Sequence, residues 1–145
     1  MTVVALAGGT GGAKLAHGLQ LVLPAGDLTV VANTADDTER HGLLVMPDHD
    51  AIMYMLDGRF DDERGWGIAG ETWVVMEELE RYGEEGWFRL GDRDFATHIA
   101  RGARLRNGAT LTDAVLGLQT ARGIPSAILP MTDDPVRTEV RTTDG

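Results

Sequence analysis

The chain reads as an open α/β domain in which a mainly parallel sheet lies between layers of helix. Three observations predict it. An apolar, β-branched run over Thr2–Ala7 passes through a glycine-rich turn into a helical stretch and then a second apolar run, Leu28–Asn33, the order of a parallel β-loop-α-β unit. Helix-period patterns follow along the chain before a late strand. With 145 residues and 43% hydrophobic content the chain can bury one substantial core, so residues 1–145 are taken as a single domain.

Each element has a local reason. Thr2–Ala7 is a short buried-strand run, and the loop Gly8–Ala13 hands it to a helix from about Lys14 to Val22, stopped by Pro24 and Gly26. Leu28–Asn33 is the second strand. Thr34–Asp50 is polar and is expected to be a long functional loop before an apolar helix to about Leu56. Asp57–Gly70 is irregular, and Glu71–Tyr82 has the spacing of an amphipathic helix through Trp73, Met76 and Leu79, ended by Gly83. Asp92 is placed as the N-cap of a helix to about Leu105. After the Asn107-Gly108 turn, Thr110 with Asp113 three residues on opens a helix to about Ala121, which Gly123 closes. Ile124–Leu129 is expected as a strand and Val136–Thr142 as an edge strand running into a hairpin-like Thr142–Gly145 turn. An edge strand with no partner after it reads as the N-terminal part of a longer domain, truncated at its C-terminus.

Composition narrows the partners. Thirteen Lys and Arg against twenty-three Asp and Glu leave a net charge of −10, which argues against nonspecific nucleic-acid or anionic-membrane binding. With no cysteine there is no disulfide scaffold and no thiolate metal ligand. No apolar run approaches the roughly 18 residues of a membrane span and no basic leader precedes the first strand, so a cytoplasmic protein is expected.

The residues that could carry chemistry fall in a few places. Gly8, Gly9, Thr10, Gly11, Gly12 and Lys14, the last being the chain's one lysine, form a glycine loop at the carboxyl edge of the sheet, where backbone N–H groups and a helix dipole favour an anion. The loop is not a Walker loop, because Ala13 and Leu15 flank Lys14, nor a dinucleotide fingerprint, which would place Gly or Ala at Lys14. A purely structural strand-to-helix turn remains the alternative. Asn33, Asp36 and Asp37 beyond the second strand, with Asp48 and Asp50, are oxygen ligands of the kind Mg²⁺ takes, and an acidic protein binding a polyphosphate calls for such a cation. As loop residues they could equally be solvated turns and caps. Asp92, Arg93, Asp94, Thr97 and His98 form a third group: Asp94 and His98 are four apart on one helix face, and Arg93 could fork onto a phosphate. Trp66, Trp73 and Trp87 are core residues or the wall of a pocket for a flat heterocycle. Asp133 and Asp134, between Pro130 and Pro135, are a further place that could carry chemistry, with a rigid turn as the plainer reading.

Taken in chain order, Gly8–Lys14, Val31–Asp37, Pro47–Asp50, Trp66–Ile68, Leu90–Asp94 with Ala96, Thr97 and His98, Leu111–Asp113 and Leu129–Pro135 resemble the 2-phospho-L-lactate transferase family of coenzyme F-420 biosynthesis. The resemblance implies a Rossmann-like domain and an Mg²⁺-dependent transfer of a phospho-lactyl or phosphoenolpyruvyl group from a guanosine-diphosphate-activated three-carbon donor to a hydroxyl of a deazaflavin acceptor, with release of GMP. It also implies a phosphate cradle at Gly8–Lys14, metal and acceptor hydroxyl near Asp48 and Asp50, acceptor or metal contacts at Asn33, Asp36 and Asp37, and Arg93 and His98 approaching the phosphates. A homodimer is implied for the full-length enzyme. Family members are considerably longer than this chain. A related group of nucleotide-sugar-binding regulators, non-catalytic, shares the glycine loop and the Asp pair; it would carry a Gly-Gly-Ser-Ser-Gly stretch where Thr38–Gly42 stands here.

Overall fold

The structure is a computed structural model that describes residues 1–143. Its main sheet has three parallel strands, β1 (Val3–Ala7), β2 (Leu28–Ala32) and β5 (Ala127–Pro130), in the order β1-β2-β5. Val3 pairs with Leu28 and Ala7 with Ala32; on the other side of β2, Thr29 pairs with Ala127 and Ala32 with Pro130. The helix α1 (Gly9–Val22) makes the first crossover. The second carries the hairpin β3 (Thr38–Arg40) and β4 (Leu43–Val45), then α2 (Pro47–Leu56), α3 (Val74–Arg81), α4 (Asp92–Arg106) and α5 (Leu111–Arg122). The α/β class and the parallel sheet are therefore as the sequence indicates.

Several boundaries differ, each for a physical reason. The glycine segment is not a loop before α1 but its first turn: the helix starts at Gly9, five residues before Lys14. Gly9 sits at φ +61, and a Cβ on Gly12 would lie 2.9 Å from that of Ala7, so glycine lets α1 start at once and lie close on β1. The expected long loop after β2 contains the β3–β4 hairpin, in which Arg40 pairs with Leu43 across His41 and Gly42, both at positive φ (51 and 69) as a tight hairpin turn requires. The helix expected from Glu71 starts at Val74. Asp92 does not cap its own helix; Gly91 holds that position without a side-chain bond. Asp92 instead accepts bonds from the Val74 and Val75 amides at 3.1 and 3.0 Å, capping α3, while Glu71 accepts from the Arg93 and Asp94 amides at 2.9 Å each, capping α4. The two helices thus exchange caps. α5 opens as expected, Thr110 accepting from the Asp113 amide at 3.1 Å, and ends on Gly123 in the left-handed region.

The last strand is shorter than expected, Ala127–Pro130 in place of Ile124–Leu129. The Val136–Thr142 segment is not a strand; it lies against the turn after β2 through a Thr138 amide bond to the Ala35 carbonyl at 2.6 Å, which leaves no ladder to join. Asp144 and Gly145 of the expected terminal turn lie outside the described residues.

The core sits on one side of the sheet. Leu28, Val30, Ala32 and Ile128 are buried against Ala13 and Ala16 of α1 and against Ile52 and Met53 of α2. On the opposite face Val4 and Leu6 are 60% and 80% exposed, with Thr29, Val31, Ala127 and Leu129 aligned beside them by the register. Of the three layers expected, the described residues build two. No helix among the described residues is long and apolar enough to cross a membrane.

Candidate active site

The carboxyl ends of β1 and β2 and the start of α2 meet at one point. Asp48, in the first turn of α2, accepts the Gly9 amide of α1 on Oδ1 at 2.7 Å and the Asn33 side-chain amide on Oδ2 at 2.8 Å. The same Asn33 nitrogen reaches Asp36 at 3.3 Å, and Asn33 Oδ1 accepts from the Ala35 amide. A Cβ on Gly8 would lie 3.0 Å from Asp48 Oδ2. The N-terminus of α1 therefore holds an internal carboxylate where the sequence suggests a phosphate. Thr10 bonds the Gly65 carbonyl at 3.5 Å, whereas Gly11 and Lys14 face solvent.

Two residues on from Asp48, a helix turns by roughly 200°, so Asp50 faces the other way, into the protein. Its carboxylate is buried and held by Arg101 through both oxygens, at 3.1 and 2.6 Å. Burial alone would push the Asp50 carboxyl up, but Arg101, helped by His49 and His98, outweighs it and holds it at about 2. With both oxygens bound to a guanidinium, Asp50 does not fit the role of magnesium ligand and works as an anchor. The network continues through His49, whose Nε2 is 3.3 Å from the Gln119 amide; Gln119 in turn pairs both backbone groups of Ile128 on β5, at 2.6 and 2.8 Å.

Between α2, α4 and the loops at residues 66–67 and 87–90 opens a cavity of about 360 Å³. Trp66, Trp87, Phe88 and Tyr54 give it aromatic walls, and Asp50, Asp94 and His98 its polar floor. Tyr54 donates to Asp94 Oδ1 at 2.5 Å; burial first, then the charges of Asp50 and Asp94, push its phenol well above the usual range. His98, 1% exposed, has Nε2 3.1 Å from Asp94 Oδ1 and Nδ1 3.6 Å from Asp50 Oδ2, neither aligned as a hydrogen bond. An imidazole lodged between two carboxylates, with both nitrogens unspent and beside a cavity, is placed to take a proton from a bound hydroxyl.

The other members of that helix go elsewhere. Asp92 is spent on α3, Thr97 meets Arg122 on the buried side at 3.3 Å, and Arg93 is exposed, bonding the Ala69 carbonyl at 3.2 Å. Asp37 is buried with both carboxylate oxygens unpartnered; burial raises its pKa to about 7, Asp50 and Asp48 adding to the rise while Arg137 and Arg101 oppose it. Asp133 caps α5 through the Thr112 amide at 2.7 Å. Sequence reasoning missed Arg101 and Tyr54. The helical spacing of Asp50 with Tyr54, and of Asp94 with His98 and Arg101, could have marked two facing polar stripes.

The family description "2-phospho-L-lactate transferase CofD" matches residues 3–145. A 2-phospho-L-lactate transferase of Methanosarcina mazei is 44% identical over 143 residues, which is 99% of this chain and 47% of that one. A phosphoenolpyruvate transferase of Streptomyces griseus is 50% identical over 148 residues, all of this chain and 46% of that one. Thus the chain spans somewhat under half the length of these relatives. Among solved structures, a upf0052 family protein from Bacillus halodurans superposes with a TM-score of 0.55 at 17% identity, over 92% of this chain and 40% of that one, a likeness of fold. Since the family's description matches it over nearly its whole length, the chain belongs to the 2-phospho-L-lactate transferase CofD family.

Proposed function

We propose that this chain carries the acceptor side and the phosphate-facing edge of a transferase that moves a phospho-lactyl or phosphoenolpyruvyl group from a guanosine-diphosphate-linked donor to a hydroxyl of a deazaflavin. The observation that carries the reading is the aromatic-walled cavity whose floor is His98 between Asp94 and Asp50, next to the Gly8–Asp48 edge. The flat ring lies among Trp66, Trp87 and Phe88, its side-chain hydroxyl turned to the floor. The hydroxyl oxygen forms a bond to the phosphorus that bears the three-carbon acid, the anhydride P–O bond breaks, and GMP leaves with the electron pair. His98 takes the hydroxyl proton, and Asp94, fixed by Tyr54, stabilises the imidazolium. Positioning and charge neutralisation supply the rate.

Magnesium fits part of the set the sequence suggests. No three His, Asp or Glu among the described residues converge closely enough to hold a metal unaided, but Mg²⁺ needs only one or two carboxylates with waters and phosphate oxygens. Either Asp37, with two buried unpartnered oxygens, or Asp36 and Asp48, joined through Asn33, would hold it together with phosphate oxygens; Asp50 would not. Bound there it would neutralise phosphate charge.

The experiment is a mass-spectrometric assay of this chain with a deazaflavin acceptor, Mg²⁺ and the lactyl and phosphoenolpyruvyl donors in competition. A phosphodiester product together with GMP supports the reading and names the donor. No product from this chain, nor from one extended to the length of its relatives, would sink it.

A further inference from the structure

Strand β5 dictates which way the Gln119 amide faces. Its oxygen accepts from the Ile128 amide at 2.8 Å and its nitrogen donates to the Ile128 carbonyl at 2.6 Å, so exchanging the two ends would set donor against donor and acceptor against acceptor. One N–H of that nitrogen remains, and 3.3 Å away lies Nε2 of His49, fully buried on α2. Only a ring nitrogen without a proton can accept it. The His49 proton therefore sits on Nδ1, 3.4 Å from Asp50 Oδ1, and is donated to that oxygen. A backbone pairing on β5 thus fixes a tautomer on α2.

The consequence falls on Asp50. Its Oδ1 accepts from Arg101 and His49; its Oδ2 accepts from Arg101 at 3.1 Å and from the Met46 amide at 3.4 Å, and lies 3.6 Å from His98 Nδ1. With the His49 proton on the other nitrogen, a ring lone pair would face Oδ1 and push the carboxylate aside, carrying Oδ2 with it. All four side chains are buried, where such a contact is screened little.

We infer that Gln119 and His49 are positioning residues: Gln119 keeps the His49 proton on Nδ1, and that N–H holds Asp50 so that Oδ2 stays against His98. Neither lines the cavity, so both act only through Asp50. Their part in turnover rests on the reading of His98 as the base.

The test is nitrogen-15 NMR of the histidine rings in the whole chain at one pH. The His49 Nε2 resonance is expected in the range of a ring nitrogen without a proton, and Nδ1 in that of one carrying it. A proton found on Nε2 would overturn the inference at its first step. Three replacements then read the second step while leaving the Gln119–Ile128 pairing intact. His49→Asn sets an amide N–H near the place of Nδ1, His49→Gln sets one near Nε2, and His49→Leu offers neither. The His98 ring resonances are expected to hold their positions in His49→Asn and to move in the other two. Since Asn and Gln are alike in polarity, all three variants moving together, or none moving, would overturn the inference. In a chain competent for turnover the same order is expected in kcat, about tenfold lower for Gln and Leu and little changed for Asn, with KM unaltered. If the His98 resonances follow that order and kcat does not, the reading of His98 as the base falls and the positioning of its ring stands.

Discussion

At the scale of single residues the site is governed by two carboxylates that burial treats in opposite ways. Asp50 is held down at about 2 because Arg101 outweighs burial, so its stabilisation is complete above the unfolded value of about 3.8 and is lost as pH falls through about 2. Asp37, raised to about 7 chiefly by burial, does the reverse: the folded protein keeps a proton that the unfolded chain gives up, so stability falls as pH rises from about 4 through about 7 and then levels. Asp37→Asn should therefore raise the melting temperature at pH 8 and leave it unchanged at pH 4; an equal effect at both would show that the carboxyl is not protonated in the fold. Removing one partner of the buried pair is costlier. Arg101→Met should destabilise by about 3–5 kcal/mol in denaturant unfolding, since it strands the Asp50 charge. For turnover in a chain competent for it, His98→Gln should lower kcat by about 10²-fold or more and remove the acidic limb of the pH profile, the mark of a lost general base. A variant with kcat intact would return the base to another group.

At the scale of elements, the informative feature is the exchange of caps between α3 and α4. Glu71 and Asp92 each close the other helix's first turn, so they fasten the 66–73 segment, which bears Trp66 and Trp73, onto the helix that bears Asp94 and His98. Glu71→Ala and Asp92→Ala should each cost about 1 kcal/mol, the usual value of a helix cap. The double variant is expected to cost less than the sum, because losing either cap loosens the same docked segment; strict additivity in a double-mutant cycle would make them two unrelated caps. The exchange also shows what local sequence could convey. Thr110 with Asp113 and then Gly123 is a contiguous signal, and α5 begins and ends where those residues put it. Asp92 looks the same locally, yet its partners are about twenty residues away, and only the packed fold can choose between them. His41-Gly42 is a hairpin signal with little beside it in the sequence, because three-residue strands are too short to show alternation. Asp94 with His98 was legible because helix periodicity alone brings them together, whereas Asp50 with Arg101 required knowing which faces of α2 and α4 meet.

At the scale of the whole molecule the sheet is lopsided, and the sequence hid it. The run Val3–Ala7 is apolar on both faces, as a strand covered on both sides would be, and so gave no warning that Val4 and Leu6 stand open. The parallel register extends this into two rows, Val4–Thr29–Ala127 and Leu6–Val31–Leu129, a largely apolar, partly exposed surface opposite the face that carries α1 and α2. Water against such a surface is unfavourable by about 25 cal/mol for each Å² of apolar area, and a contiguous patch of this kind favours association. The chain is therefore expected to bind a hydrophobic dye while fully folded, and to sediment faster as concentration rises. Val4→Thr with Leu6→Thr should weaken both effects and leave the melting temperature nearly unchanged, since neither side chain contributes to the core on the other face. The net charge of −10 opposes association through long-range repulsion, so raising the salt should strengthen it in the unmodified chain and do so much less in the double variant. If the double variant melts several degrees lower, those side chains are supporting the fold from the open side, and the two-layer description of residues 1–143 would have to give way.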